Sequence, residues 1–186
     1  MVIFEHRRQL KAQIKSAYGK VVYTYTAHHK LANRLKKQIK WIKIAQIALT
    51  AVSTVGFLAT VISNQTVLSW LGGITAAVSL GLNLYVKEFD YQKDILEHEA
   101  AANDLWDVRE EYVSLLTDFE IMEDDEIRCR RDELQKRVSK INKNYLGTDQ
   151  KSYREAQIAL QTEEEQTFNE GEVDELLPVE LRDKDY

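Results

Sequence analysis

Hydrophobic positions divide the chain into one long uncharged run and several amphipathic segments. Residues 44–86 contain no Lys, Arg, Asp, Glu or His, although 30% of the whole chain is charged. The polar residues at 63–66 divide this run into segments of 19 and 20 residues, 44–62 and 67–86. At about 1.5 Å of rise per residue, each segment spans roughly 30 Å as a helix, which is the thickness of the bilayer hydrocarbon. The pattern therefore predicts a transmembrane hairpin with a short loop at 63–66.

On either side of this run, apolar residues recur every three or four positions, which is the period of an amphipathic helix. One stripe leads into the first span and the other follows the second, so the two helices can pack together as a coiled or bundle-like stalk. The predicted fold class is an all-α membrane protein, a two-helix transmembrane hairpin continuous with long cytoplasmic helices. The first stripe is Leu10, Ile14, Ala17, Val21, Tyr25, His28, Leu35, Ile39 and Ile42; the second is Tyr91, Ile95, His98, Ala102, Leu105, Val108, Tyr112, Leu115 and Phe119.

Two shorter helices are predicted beyond the stalk. After the acidic residues 123–126, Asp124 or Asp125 is expected to cap a helix that runs to Tyr145, with Gly147 closing it. Asp149 is expected to cap a third helix.

The acidic end of the chain is poor in core residues, so about the last fifteen residues are expected to be disordered. A short docking peptide at 173–181 is the alternative reading of this tail. The chain thus divides into a basic cytoplasmic helix 1–43, the hairpin 44–86, cytoplasmic helices 87–147, and an acidic helix with its tail 148–186.

Charge on both sides of the hairpin predicts its orientation. Residues 1–43 hold eleven Lys and Arg against Glu5 alone, whereas residues 87–186 hold 14 basic and 29 acidic residues. Positively charged flanks stay in the cytoplasm, so both termini are expected inside and the loop outside a cell (inner) membrane. The lipid bilayer is therefore the first expected partner. Nucleic acid is not expected, because the basic segment adjoins a span and lacks a reader motif.

The sequence offers little catalytic or cofactor chemistry. No glycine-rich phosphate loop, Cys pair, zinc motif, calcium loop or nucleophile elbow is present, so we expect neither an enzyme nor a cofactor. His28 and His29 are adjacent and cannot clamp one metal ion from a helix, so no metal is expected. His98 lies between two glutamates and is read as part of a solvated face. The single Cys129 is read as an incidental cytosolic thiol.

Polar and small residues follow one stripe along each predicted span. They serve either as packing contacts between helices or as the lining of a water-filled path in an oligomer, because two spans cannot enclose a channel. Small residues four apart on a neighbouring face of the second span let another helix approach closely and predict a homo-oligomer. The candidate pore-lining or packing residues are Gln46, Thr50, Ser53, Thr60, Ser69, Ser79 and Asn83, and the candidate helix contacts are Gly73, Ala77 and Gly81.

The overall arrangement resembles the SLATT-domain family of bacterial conflict systems. The resemblance covers about 10–145 and lies in the Tyr-rich basic segment 18–41, the charge-free hairpin, and the stretch 89–112 that contains Ala-Ala-Ala and Leu-Trp-Asp-Val-Arg-Glu-Glu-Tyr. It implies a membrane effector of antiviral defence that forms pores or disrupts the membrane when a partner sensor, often one tied to nucleotide signalling, detects invasion. The acidic region past Tyr145 falls outside the resemblance.

The function expected from these observations is an oligomeric membrane effector triggered through its cytoplasmic helices by a partner or signal. One alternative is a passive membrane anchor or scaffold that recruits a cytosolic partner, with the polar stripes used only for packing. The other is a soluble helical adaptor, in which the hairpin is buried in a bundle.

Overall fold

The computed structural model describes residues 2–63, 66–169 and 171–178 of the chain, except for the side chains of residues 2–4, 59–63, 66, 68, 69 and 174. These residues form helices and no strand, as expected for an all-α protein. The loop residues 64 and 65 and the tail 179–186 lie outside the described residues, as does part of the alternative docking peptide. The helices are α1 Val2–Ser63, α2 Thr66–Glu88, α3 Tyr91–Thr117, α4 Asp124–Asn144, α5 Gln150–Gln161 and α6 Glu172–Leu176.

Helix α1 joins the basic segment to the first predicted span without a break. Its 62 residues contain no proline, and at about 1.5 Å per residue they extend for about 90 Å. Along its first half α1 packs against α3 and α5, and along its second half against α2. This confirms the predicted helix that runs from the stalk into the hairpin.

Helices α1 and α3 run antiparallel in the predicted cytoplasmic stalk. Two ion pairs show the direction. Lys11, near the start of α1, pairs with Glu120 just after the end of α3, and Lys36, further along α1, pairs with Glu99 near the start of α3. The predicted stripes meet in a core that includes Ile14, Leu105 and Tyr112. Helix α4 covers one side of this pair with Ile127, Leu134 and Ile141, which are buried. The result is a helical bundle, held by the apolar area that its helices remove from water.

The return helix is interrupted at the base of the hairpin. α2 ends at Glu88, and Asp90 begins α3 by accepting a hydrogen bond from the backbone N–H of Lys93 at 3.1 Å. The hydroxyl groups of Tyr85 and Tyr91 lie 2.9 Å apart across this break. Only α1 therefore continues without interruption from the stalk into the hairpin.

Two of the expected helix boundaries differ in detail. The N-cap of α4 is Glu123, not Asp124 or Asp125, because Asp124 lies in the first turn and forms an ion pair with Arg7 at 2.5 Å. Gly147 does not close α4 in a left-handed conformation; the helix ends at Tyr145, whose backbone is extended. Arg7 also donates to the carbonyl of Phe119 at 2.6 Å, so long-range contacts fix the turn between α3 and α4.

The third predicted helix is present. The carboxylate of Asp149 caps α5 by accepting from the backbone N–H of Ser152 at 2.7 Å. The tail differs from the prediction in one place. Residues 172–176, which were expected to be disordered, form the short helix α6.

Candidate functional site: a polar groove in the helical hairpin

The helices of the hairpin meet in backbone contact at two glycines. A Cβ atom on Gly72 would lie 3.8 Å from the carbonyl carbon of Gly56 and 3.8 Å from the amide nitrogen of Phe57. An alanine fits there at ordinary contact distance, whereas any larger side chain would have to push the helices apart. Such close approach through small residues is typical of helices that associate within a bilayer.

The two predicted polar stripes meet beside this contact. Thr50 and Ser53 of α1 and Ser79 and Asn83 of α2 line one groove of about 760 Å³. Its other lining residues are Thr54, the two glycines Gly72 and Gly73, and the apolar residues Phe57, Ala76 and Leu80. Ser79 is only 7% exposed. Two helices that were assigned separate polar faces from the sequence therefore present them to a shared groove.

Several hydroxyl groups in the described part of the hairpin donate hydrogen bonds to backbone carbonyl groups. Ser53 Oγ donates across the hairpin to the carbonyl of Gly72 at 3.4 Å. Thr50 Oγ1 donates to the carbonyl of Gln46, four residues earlier on its own helix, at 2.8 Å. Such bonds satisfy a polar group in an apolar environment, which makes these residues compatible with packing as well as with a water-filled path.

The remaining predicted residues occupy other positions. Gln46 is half-buried one turn before Thr50. Thr60 and Ser69 lie in α1 and α2, but their side chains are outside the described residues. Among the described atoms, none lies within 4 Å of a Cβ built on Gly73 or Gly81, and Ala77 is exposed. Gly73 thus borders the groove without touching α1, and a side chain at Gly81 would meet no other helix.

Apolar side chains cover the outside of the hairpin. Val55, Phe57 and Trp70 are between 66% and 71% exposed, and α1 contains an 18-residue window with a mean hydropathy of 1.5, none of it buried. Among the residues that the structure describes, α1 has the length and composition of a membrane span. This exposed window argues against the soluble adaptor, because burial of the hairpin in a bundle would cover it.

A second polar feature lies in the stalk, at the contact of α1 with α3. His28 and His98 are each 4% exposed, and their Nδ1 atoms lie 3.0 Å apart. At this distance one ring donates its N–H while the other accepts, so the pair is neutral. The interpretation of His98 as part of a solvated face is therefore wrong. Its regular spacing within the apolar stripe was the sequence signal that it is buried.

Burial controls the ionisation of this pair. Burial, together with smaller effects of the charges of His98 and His29, lowers the pKa of His28 to about 4. Burial also lowers the pKa of His98, although the carboxylates of Asp94, Glu97 and Asp149 act in the opposite direction. In the part of the chain that the structure describes, no group of three or more His, Cys, Asp or Glu side chains is placed to hold a metal ion.

Comparison with known protein families decides what kind of protein carries this hairpin. The model of the SMODS and SLOG-associating 2TM effector domain family 4, SLATT_4, matches residues 10–172. The chain belongs to this family. The SLATT resemblance is thus confirmed, and the matched region extends past Tyr145 through α5, so the expectation that the acidic region lies outside it is wrong. No curated protein and no solved structure matches the chain.

Membership of SLATT_4 and the exposed apolar window of α1 agree with each other. The family is described as a two-transmembrane effector domain, and α1 supplies a helix suited to a membrane. Together they indicate a membrane protein of the effector class.

Proposed function

We propose that this SLATT_4 protein is a two-span membrane effector of a bacterial conflict system, which assembles into oligomers and opens or disrupts the membrane when a partner acts on its cytoplasmic helices. The observation that carries the proposal is the apolar window of α1, which is wholly exposed in a chain whose family is named for two spans. An exposed surface of this kind requires lipid or another helix to cover it.

The proposed topology places both termini in the cytoplasm. Basic side chains precede the first span, and Lys87 and Lys93 follow the second, whereas the loop residues 63–66 are uncharged. A membrane-impermeant maleimide applied to intact cells tests this arrangement. Asn64→Cys in a Cys129→Ser background should react, while native Cys129, which is exposed on α4, should react only after the cells are permeabilised. Labelling of Cys129 in intact cells would place α4 outside the cell and contradict the proposed topology.

The proposed path through the membrane uses the polar groove. Each hairpin contributes one groove, and several hairpins arranged with their grooves inward would enclose an uncharged polar path whose selectivity depends on its width. The long stalk gives a cytoplasmic signal a rigid connection to the hairpin through α1. An activating partner must then bind the open assembly more tightly than the resting one.

Leakage from liposomes tests the path. Purified protein should release a small dye, and the combined substitutions Thr50→Val, Ser79→Ala and Asn83→Leu should suppress release without changing insertion or oligomer size. Thr75→Val is the matched control, because the Thr75 hydroxyl bonds the carbonyl of Leu71 on its own helix and does not line the groove. Equal leakage from all three proteins would contradict a groove-lined path.

A passive anchor remains the second candidate, because the hydroxyl groups of Thr50 and Ser53 already have backbone partners. An anchor of this kind would recruit a cytosolic protein through the stalk without harming the cell. Expression with and without neighbouring genes distinguishes the two candidates, since an effector stops growth when triggered and an anchor does not.

A further inference from the structure

An acidic segment at the end of the matched region closes over α1. It consists of α5 and the turn that follows, residues 150–167, and we call it the clip. Among the described helices, α5 packs extensively against α1 alone, and no helix joins it to α4 across residues 145–149. The clip is therefore attached to the bundle through one helix face.

Charged and polar contacts hold the clip in place. Arg34 of α1 pairs with Asp149, at the N-cap of α5, and with Glu155 at 3.1 Å. Lys30 pairs with Glu165 at 2.6 Å. These contacts bring carboxylates of the acidic C-terminal region onto the basic helix 1–43, so they neutralise part of the charge asymmetry of the sequence.

Few apolar atoms support these contacts. The buried residues of α5 are small, Ser152, Ala156 and Ala159, whereas Tyr153 and Ile158 are about half exposed. The corresponding face of α3 buries Leu105, Val108 and Tyr112. A segment held mainly by polar contacts opens more easily than one held by a large apolar core.

The turn of the clip also adopts an unusual backbone. Glu164 and Gln166 have φ values of 53° and 69°, in the left-handed region that residues with a Cβ atom rarely occupy. Contacts with α1 hold the backbone in this conformation. Glu165, which lies between the two residues, pairs with Lys30, and Gln166 donates to the buried Thr26 hydroxyl at 3.1 Å. Opening of the clip would release both residues from this conformation.

We infer that the α1 face from Tyr23 to Arg34 is a docking site for an acidic helix of another protein, and that the clip occupies this site as a tethered competitor. Charge complementarity identifies the occupant. The face offers Lys30 and Arg34 to carboxylates, an aromatic ring at Tyr23 that stacks on Tyr153, and space for small residues at the centre of the contact. A partner helix with the same features would displace the clip.

This inference rests on the proposed function in one respect, because the partner that displaces the clip would be the trigger. Docking itself is measured without any leakage. A labelled peptide with the sequence of residues 148–169 serves as the acidic probe, and its binding to the full chain in detergent is followed by fluorescence anisotropy. The opened chain carries Glu155→Gln and Glu165→Gln, which weaken the clip and leave the α1 face intact.

The probe should bind the opened chain at least about tenfold more tightly than the wild-type chain, whose tethered clip competes at an effective concentration near the millimolar range. Absence of binding to the opened chain up to about 1 mM probe would overturn the inference. A probe with Asp149→Asn, Glu155→Gln and Glu165→Gln is the matched control and should bind more weakly. Equal binding of both probes would also overturn it, because charge would then not select the occupant.

Charge reversal on both the chain and the probe distinguishes loss of the docking site from failure of a variant to fold. Lys30→Glu and Arg34→Glu in the opened chain should abolish binding, and a probe with Glu155→Lys and Glu165→Lys should restore it. Restored binding supports the assigned face, and failure to restore it in a chain that retains its helical circular dichroism overturns it. Oligomer size is measured in parallel. A decrease caused by Lys30→Glu and Arg34→Glu would assign the site to the clip of a second copy and overturn docking of another protein.

Discussion

At the scale of single residues, the buried pair His28 and His98 makes the stalk sensitive to acid. The 3.0 Å contact between their Nδ1 atoms needs one proton on one ring and none on the other. A second proton would place two N–H groups against each other where little water can enter. The groups facing the pair are His29 on α1, Asp94 and Glu97 on α3, and Asp149 at the N-cap of α5.

The stability of the stalk should therefore fall as the pH decreases from about 6.5 towards about 4. The folded-state pKa of His28 is about 4, below its ordinary value of 6.5, so the unfolded chain binds protons that the folded chain resists. The contribution is complete above pH 6.5, and its loss amounts to at most about 3 kcal/mol. Thermal unfolding between pH 7.5 and 4.5 measures it. His28→Leu with His98→Leu should flatten the pH dependence, whereas the exposed control His6→Leu should preserve it; an unchanged slope in the double variant would contradict the assignment.

Asp149 is the second residue whose role can be isolated. Burial acts to raise its pKa, but hydrogen bonds from Arg34 and Ser152 outweigh burial and lower the pKa to about 2. Asp149→Ala should cost about 1 kcal/mol through loss of the helix cap, whereas Asp149→Ser should retain most of the cap and lose only the contact with Arg34. Chemical unfolding at pH 7 compares the two. Equal losses would mean that the ion pair, not the cap, dominates.

At the scale of helices, contact within the hairpin depends on which glycine faces α1. Gly72→Leu should separate α1 from α2, because its Cβ position lies 3.8 Å from the backbone of Gly56, whereas Gly72→Ala should be accepted. A disulfide between Ser53→Cys and Ala76→Cys in a Cys129→Ser background, on facing sides of the groove, reports on the intact hairpin. Gly81→Leu is the matched control, since a side chain at this position enters open space and Gly81 does not line the groove. The prediction is wrong if both leucine variants form the disulfide equally well.

Helix boundaries that depend on local signals could be predicted from the sequence, and those that depend on distant residues could not. Apolar periodicity correctly predicted α1 and α3, and Asp149 as a helix cap correctly predicted the start of α5, because these signals are local. The end of α4 at Tyr145 was predicted correctly, although Gly147 does not close the helix. The cap at the start of α4 was not predicted correctly. Asp124 is engaged by Arg7, which is more than a hundred residues earlier in the chain, so local capping preferences could not decide that boundary.

At the scale of the whole molecule, the open face of α2 predicts how copies associate. No neighbouring helix touches the Cβ positions of Gly73 and Gly81, and Ala77 is exposed, so a second chain can approach there. Gly73→Leu with Gly81→Leu should reduce oligomer size in detergent while the hairpin disulfide still forms. Light scattering after size-exclusion chromatography measures the effect, with Leu84→Ala at an exposed apolar position as a control. Wild-type oligomer size in the double variant would exclude this face as the contact.

The sequence by itself determined the uncharged hairpin and the long helices, because both follow from composition and periodicity along the chain. The SLATT resemblance also came from the sequence, through the likeness of particular segments to that family. The sequence also placed the polar residues of the groove on one stripe of each helix. Only the tertiary structure decided that Gly72 rather than Gly73 meets α1, that the Nδ1 atoms of His28 and His98 meet, and that the acidic clip covers Lys30 and Arg34. These features depend on the rotation of one helix against another and on contacts between distant residues, which a periodic pattern does not specify.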